Sequence, residues 1–322
     1  MPLVVGAQSA TAAAGYSIGN SCMFNVGDSS LLTKTPAGDG DKKTFTYSFW
    51  VKRSALGYVA TTVNAMAAAS TAGLSFYQDD GMKFYIDASN GQTTNAAFRD
   101  PSAWYHIVQA VDTTDGVAAD RIKTYVNGVQ ITSFSHKTNP SADTESRFNS
   151  SSYAMTISAA GDSFGGYMAD VCFIDGTQYA ASDFGEFSED SPTTWMPKDI
   201  SGLTFGTNGF LLDFADSAAL GNDVSGNNND YAVTNLDATN QKTDTPTNNF
   251  CNMNPLNSYY TSATLSEGNL KIAWNSDGGA QMLGNMGLTA GKWYWEWMLT
   301  DMASEDYLRM GGTDAVPTST TA

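Results

Sequence analysis

Positive charge is what this sequence has least of. Its 322 residues carry 16 Lys and Arg against 33 Asp and Glu, a net charge of −17. Phosphate backbones and anionic lipid surfaces are held by clusters of Lys and Arg, and no such cluster occurs, so neither nucleic acid nor a membrane surface is an expected partner. The acidity itself reads first as solubility. Cysteine is scarce as well. Cys22, Cys172 and Cys251 are too few for a disulfide framework, and no two stand at metal-ligand spacing with either histidine. They read as small buried hydrophobes of a protein assembled in a reducing cytoplasm. Long apolar runs are missing. The opening MPLVVGAQSATAAAGYS is broken by Gly6 and Gln8 and holds no basic residue, so it reads as neither a signal peptide nor a membrane span. Residues 1–15 are expected to form a flexible arm, either frayed or docked on a larger assembly.

Aromatic residues are plentiful at 12%, and Asn, Ser, Thr and Gly fill the polar positions, the profile of a turn-rich all-β protein. The clearest element lies between Phe98 and Ile131. Trp104, His106, Val108 and Ala110 alternate with Tyr105, Ile107, Gln109 and Val111, the period of a strand. A second strand places Ile122, Thr124 and Val126 on one face and Lys123 and Tyr125 on the other. Asn127-Gly128 then turns, since both residues accept positive φ cheaply. Such a hairpin cannot bury its apolar face alone, so a second sheet is implied. Phe45, Tyr47, Phe49 and Val51 alternate with Thr46, Ser48, Trp50 and Lys52 in another strand, apolar on both faces at its centre. LSFYQDDGMKFYIDAS (74–89) reads as a hairpin turning at Asp79-Asp80-Gly81. Val59–Gly73 fits a strand pair or a short helix. Residues 132–152, with His136 and Pro140, read as a polar loop. In FGGYMADVCFI (164–174), Val171 and Phe173 face one way and Cys172 and Ile174 the other.

These strands, in this order, resemble a family. The Trp-Tyr-His-Ile strand, acidic loop and Val-Asn-Gly ending resemble the centre of a laminin-G-like, or concanavalin A-like, lectin domain. CMFNVGDSSLLT (22–33), FTYSFWVKRS (45–54) and FGGYMADVCFIDGTQYAASDF (164–184) are similar to its first, second and closing strands. The resemblance spans residues 16–190 and implies an antiparallel jelly-roll β-sandwich that binds carbohydrate or protein. It places the first and closing strands side by side, so Cys22 and Cys172 become possible neighbours.

From residue 185 onward Pro, Asn and charge rise, yet Trp195, Phe205 and the island GFLLDF (209–214) are too apolar for a free linker. Residues 191–261 are expected to form an irregular connector packed on the first domain. GFLLDFADS, DVSGNNND and DTPTNNFCNMNPLN resemble a connector of large marine-bacteriophage structural proteins. Residues 262–322 resemble the start of a SPRY-like sandwich, most specifically at GKWYWEWML (291–299), read as a core strand with a sugar-stacking platform as the alternative. Too few residues follow Trp293 for the whole sandwich, so a continuation of the polypeptide is expected.

No catalytic residue stands out. Glycoside hydrolysis needs two carboxylates at fixed separation, and Glu186, Glu189 and Asp190 beside Pro192 have the wrong spacing. His106, inside an apolar strand, reads as structural. Calcium is the one cofactor the chemistry allows, because hard cations take oxygen ligands from loops, with Asp112, Asp115, Asp120 and Asp162 as donors. The expected function is that of a bacteriophage virion protein on the particle exterior. The first reading is a tail-fibre or tail-tip attachment protein binding host glycan without catalysis. The alternatives are an architectural subunit (capsid decoration, head fibre or fibre anchor) and a polysaccharide depolymerase. Other virion proteins and its own copies, in a homo-oligomer such as a trimer, are the partners the resemblance implies.

Overall fold

A strand that is apolar on both faces must be covered on both faces, and that requirement shapes this molecule. The computed structural model describes residues 15–57, 62–68, 71–159, 163–259, 263–274, 281–288 and 290–301. The chain runs through β1 (Ser21–Phe24), β2 (Leu31–Lys34), β3 (Thr44–Arg53), β4 (Thr62–Ala68), β5 (Ala72–Tyr77), β6 (Gly81–Tyr85) and β7 (Gly91–Ala97). It continues through β8 (Trp104–Asp112), β9 (Ile122–Val126), β10 (Val129–Gln130), β11 (Phe134–Thr138), β12 (Met155–Ile157) and β13 (Gly166–Asp175). Then come β14 (Gly185–Phe187), β15 (Trp195–Pro197), β16 (Phe210–Leu212), β17 (Ala232–Thr234) and β18 (Gln241–Lys242). Last are β19 (Met253–Tyr259), β20 (Ala263–Ser266), β21 (Lys271–Trp274) and β22 (Gln281–Gly284).

Two antiparallel sheets of 8 strands make the sandwich. The front sheet has the order β10-β9-β8-β3-β13-β1-β18, with β16 also paired to β13. The back sheet has the order β11-β7-β6-β5-β4-β12-β2-β17. Between them lies the main core, with Phe45, Tyr47, Phe49 and Val51 of β3 against Leu74 and Phe76 of β5 and Met82 and Phe84 of β6. The uncertain stretch before Gly73 is therefore a strand in its described part, β4, paired with β5. The polar segment 132–152 hides an edge strand, β11, paired to β7. Its sequence, Phe-Ser-His-Lys-Thr, shows no apolar alternation because an edge strand with exposed side chains needs none.

The segment after residue 190 is part of this architecture. β16 lies beside β13, β17 extends the back sheet from β2, and β18 pairs with β1. Phe210, Leu212, Phe214, Leu220 and Tyr231 belong to the main core. The remainder forms a third layer over the outer face of the front sheet, where Val108, Cys172, Ile174, Ala181, Phe184, Ile200, Phe205 and Leu211 are buried together. Cys22 sits in the main core and Cys172 in this outer cluster; both thiols are free, on opposite faces of the front sheet.

The outward residues of β3 hold the third layer like rungs. Thr46 Oγ1 donates to the Thr177 carbonyl and accepts from the Tyr179 amide, both at 2.8 Å. Ser48 meets His106, whose ring meets Trp195. Lys52, fully buried, donates to Asp244 Oδ2 (2.7 Å), Asn249 Oδ1 (2.8 Å) and the Phe250 carbonyl (2.7 Å). Trp104 Nε1 donates to the other oxygen of Asp244 at 3.0 Å. Burial pulls the Lys52 pKa down, and Asp244 opposes that pull. A buried ammonium persists only when its charge and all three N–H groups are met, and here they are.

GKWYWEWML differs from the sequence expectation. Residues 292–300 form no strand, and Trp293, Tyr294, Trp295 and Trp297 are exposed. Aromatics on both phases of a strand require cover on both faces, and no described strand pairs with this stretch. The described C-terminal strands form two separate pairs, β19–β22 and β20–β21. They rest on the sandwich through Tyr167 Oη, which donates to the Gly268 carbonyl at 2.8 Å, and through Asn285, which donates to the Pro101 carbonyl at 2.9 Å.

Removing one partner of a buried ion pair leaves the other charge without compensation. Asp244→Ala should therefore destabilise the protein by about 3–5 kcal/mol, and the double variant Lys52→Met/Asp244→Leu should recover most of that loss. Urea unfolding of the three proteins checks it.

Candidate functional site

Three places carry polar chemistry: the crevice under the third layer, the acidic loop at one end of the sandwich, and the outer face of the back sheet. The crevice is lined by Ser48, Trp50, His106, Asp170, Phe184 and Ile200 and is too tight for a sugar. Trp195 Nε1–H donates to His106 Nδ1 at 3.0 Å, so Nδ1 is unprotonated and the ring proton sits on Nε2, 2.9 Å from Ser48 Oγ. A histidine in that tautomer donates to the serine and cannot take its proton, which removes the Ser-His pair as a nucleophile and base. Burial pushes the His106 pKa down to about 3, so the ring is neutral. Asn127, in the turn between β9 and β10, accepts from the His106 amide at 2.7 Å. Trp195 packs against Gly128 so closely that a Cβ there would lie 2.2 Å from its ring, so the turn needs glycine for space as well as for φ +77°.

Asp170 shares this crevice. It stands at a bulge between Ala169 and Cys172 of β13, with φ 42°. The bulge lies where the neighbour of β13 changes from β1 to β16, and it lets two consecutive side chains face outward. Burial, with Asp213 and Asp199 nearby adding to it, raises the Asp170 pKa to about 7 against the opposing hydrogen bond of Tyr16.

In the acidic loop Asp112 and Asp115 bond their own turns, and Asp120 faces a lysine. Asp112 Oδ1 accepts from Thr44 Oγ1, the Thr114 amide and Thr114 Oγ1 (3.2, 2.9 and 2.6 Å). Asp115 Oδ1 accepts from the Val117 amide at 2.7 Å, and Asp120 lies 3.7 Å from Lys123. Asp162 lies outside the described residues. Among the described residues no group of three or more His, Cys, Asp or Glu is placed to hold a metal ion.

The outer face of the back sheet is open. Because Phe76, Met82 and Phe84 point into the core, Tyr77 of β5 and Lys83 and Tyr85 of β6 point out. Registers Lys83↔Thr93 and Thr93↔His136 bring β7 and β11 into the same surface. Tyr85 and His136 are near-parallel, 5° apart with ring centroids 6.0 Å apart. Gly91 makes this possible: a Cβ there would meet Tyr85 Cγ at 2.6 Å. Lys83 Nζ sits 4.3 Å from the Tyr85 ring centroid, 5.1 Å from that of Tyr77, and donates to Tyr77 Oη at 2.7 Å. Towards the other edge the face carries Thr33, Thr156 and Ala67, aligned by register. Partly exposed aromatic rings set among hydroxyls and an ammonium offer both a surface for apolar C–H faces and donors for hydroxyls.

None of these residues stands out as a site in the sequence. The signal was present in the hairpin 74–89: once Phe76, Met82 and Phe84 are taken inward, Tyr77 and Tyr85 fall on the solvent phase, where aromatics are uncommon. His136 gave no signal because β11 reads as a loop.

The two buried groups of the crevice have opposite pH signatures. His106, depressed from 6.5 to about 3, contributes stability present above pH 6.5 and lost as pH falls through that window. Asp170, raised from 3.8 to about 7, contributes stability present below pH 3.8 and lost as pH rises through that window. Between roughly pH 4 and 6.5 the slopes cancel. Relative to wild type, Asp170→Asn should gain about 1.4 kcal/mol per pH unit across that range, and His106→Gln should lose as much. Urea unfolding at several pH values checks both; curves parallel to wild type would contradict them.

Residues 26–181 match the family model of the concanavalin A-like lectin/glucanases superfamily. No curated protein matches the chain. Among solved structures, a putative carbohydrate binding protein from Bacteroides ovatus is 14% identical, with a TM-score of 0.45, over 71% of this chain and 60% of its own. Botulinum neurotoxin type C, in a structure concerned with ganglioside interaction, is 11% identical (TM-score 0.29) over 45% of this chain and 35% of that one. Trypanosoma rangeli sialidase, in complex with sialic acid, is 13% identical (TM-score 0.31) over 52% and 32%. This chain thus spans 60% of the length of the first and about a third of the others. With the family match lying over strands β2 to β13 and two large antiparallel sheets closing face to face, the fold is a concanavalin A-like β-sandwich.

Proposed function

We propose that this chain is a non-catalytic carbohydrate-binding protein whose sugar-contacting surface is the outer face of the back sheet. The observation that carries the reading is the set Tyr77 of β5, Lys83 and Tyr85 of β6 and His136 of β11, on one face of neighbouring strands, with His136 exposed and the other three half-buried. Among the described residues the front sheet offers no comparable surface, because its outer face lies under the third layer. The matched superfamily includes both lectins and glucanases. Against a hydrolase stand the neutral, donor-fixed His106 and the exposure of Glu186, which is 3.4 Å from Lys198 at the surface.

In its finer form the proposal is an attachment protein on the exterior of a bacteriophage particle, at a tail fibre or tail tip, made in the host cytoplasm and acting as a homo-oligomer. That step is supported by the resemblance of residues 191–322 to phage connectors and SPRY-like modules. The architectural alternative, a capsid decoration or fibre-anchoring subunit, draws on the exposed Trp293–Trp297 stretch, which suits packing on neighbouring subunits. Immunogold labelling of particles separates the two: label at fibre ends favours attachment, and label over the capsid favours architecture.

Tyr85→Ala should weaken binding of oligosaccharide ligands at least about tenfold while changing stability by no more than about 1 kcal/mol. Glycan-array binding with parallel melting curves checks it, and unchanged binding would contradict the site. Calcium at Asp112, Asp115 and Asp120 is a separate proposal resting on sequence. It requires the melting temperature of the full chain to rise between chelator and millimolar calcium, because a ligand of the native state stabilises that state. No shift would remove it.

A further inference from the structure

The further inference rests on the sugar-binding reading of the back-sheet face and concerns which sugars that face selects. Lys83 stands at the centre of the face, on β6 between Ser75 of β5 and Thr93 of β7. Its ammonium is fixed by one hydrogen bond, to Tyr77 Oη at 2.7 Å, and by the rings of Tyr77 and Tyr85 on either side. An ammonium has three donors, and neither a carboxylate nor any second acceptor meets Lys83 among the described residues. Among the described residues Lys34, Lys137 and Lys242 are likewise met by no carboxylate, but each donates to a backbone carbonyl, which Lys83 does not. Lys42, Lys43, Lys52, Lys123 and Lys198 all have carboxylates within 4.0 Å.

The carboxylates nearest in sequence are held elsewhere. Asp79 accepts from the Gly81 amide at 3.0 Å, and Asp80 pairs with Arg53 at 3.0 Å. Asp87 accepts from the Ser89 and Asn90 amides, each at 2.7 Å. The cross-strand neighbours Ser75 and Thr93 carry hydroxyls and no charge. The face thus presents one positively charged group, pre-placed beside two aromatic rings, with spare donors directed away from any protein anion.

We propose that this face selects pyranose sugars bearing an anionic substituent. The anion meets Lys83 as a charge-assisted hydrogen bond, while the sugar ring lies on Tyr85 and His136. Carboxylate and sulfate share this chemistry, and the test separates them. Lys remains a point-charge binder for either anion, without the planar fork by which Arg favours carboxylate.

The experiment uses the full chain and three hexasaccharides: a galacturonate oligomer, a sulfated galactan oligomer and a neutral galactan oligomer. Affinities of wild type, Lys83→Met and Tyr85→Ala are measured by isothermal titration calorimetry at low and high salt. Wild type should bind at least one acidic oligomer about tenfold or more tighter than the neutral one. Lys83→Met, which keeps the apolar stem, should erase that preference, and high salt should reduce it. Equal affinity of wild type for acidic and neutral oligomers, with Tyr85→Ala weakening both and Lys83→Met neither, overturns acidic selection and leaves the sugar-binding face standing. Absence of binding to all three by wild type overturns both.

Discussion

The outer face of β3 is the constraint on which the rest depends. Thr46, Ser48, Trp50 and Lys52 point away from the main core, and all are buried. A threonine, a serine and a lysine cannot be buried without partners, because an unmet polar group costs about 1–3 kcal/mol and an unmet charge more. The partners come from far along the chain: Tyr179 for Thr46, His106 and then Trp195 for Ser48, and Asp244, Asn249 and Phe250 for Lys52. Each rung fixes one piece of the segment 177–250 against the sheet. What composition presents as an irregular, Asn-rich connector is held at defined points, and three of its short strands extend the two sheets.

This covering decides where function is placed. A sandwich has two outer faces, and here the front one is sealed by cores of its own. Its crevice contains a serine, a histidine and an aspartate, a combination that invites a catalytic reading. The hydrogen-bond directions refuse it, since Trp195 occupies the histidine nitrogen that a base would use. The back sheet keeps its outer face free. There the alternation that sends Phe76, Met82 and Phe84 inward sends Tyr77, Lys83 and Tyr85 out, and Gly91 lets Tyr85 lean towards His136. The same two-residue period therefore builds the core and the candidate binding surface.

Local phase was legible in the sequence; what lies on each face was not. The hairpin of β8 and β9, the inward set Phe45, Tyr47, Phe49 and Val51, and the opposed pairs of β13 all follow from period two, and the Asn127-Gly128 turn after β9 follows from its residue types. So does the all-β class. The third layer does not follow, because its anchors join residues 89 to 198 positions apart, such as His106 with Trp195 and Lys52 with Phe250. β11 was hidden for the opposite reason: its side chains are largely exposed, so no pattern marks it, and His136 was hidden with it. The aromatic run at Trp293–Trp297 shows the limit of reading aromatics as core, for the structure leaves these rings exposed and outside any sheet. The acidic loop shows a related limit. Asp in a turn caps backbone amides as readily as it binds a cation, and Asp112 and Asp115 do the former.

The most direct measurement is a backbone resonance map of the protein titrated with a mixture of acidic and neutral oligosaccharides. The account predicts shifts gathered on the back-sheet face, at residues 73–77, 81–85, 91–94 and 134–138, with the front sheet and its third layer unchanged. Shifts centred on the 112–120 loop or on the tryptophans at 293–297, with the back-sheet face silent, would contradict it.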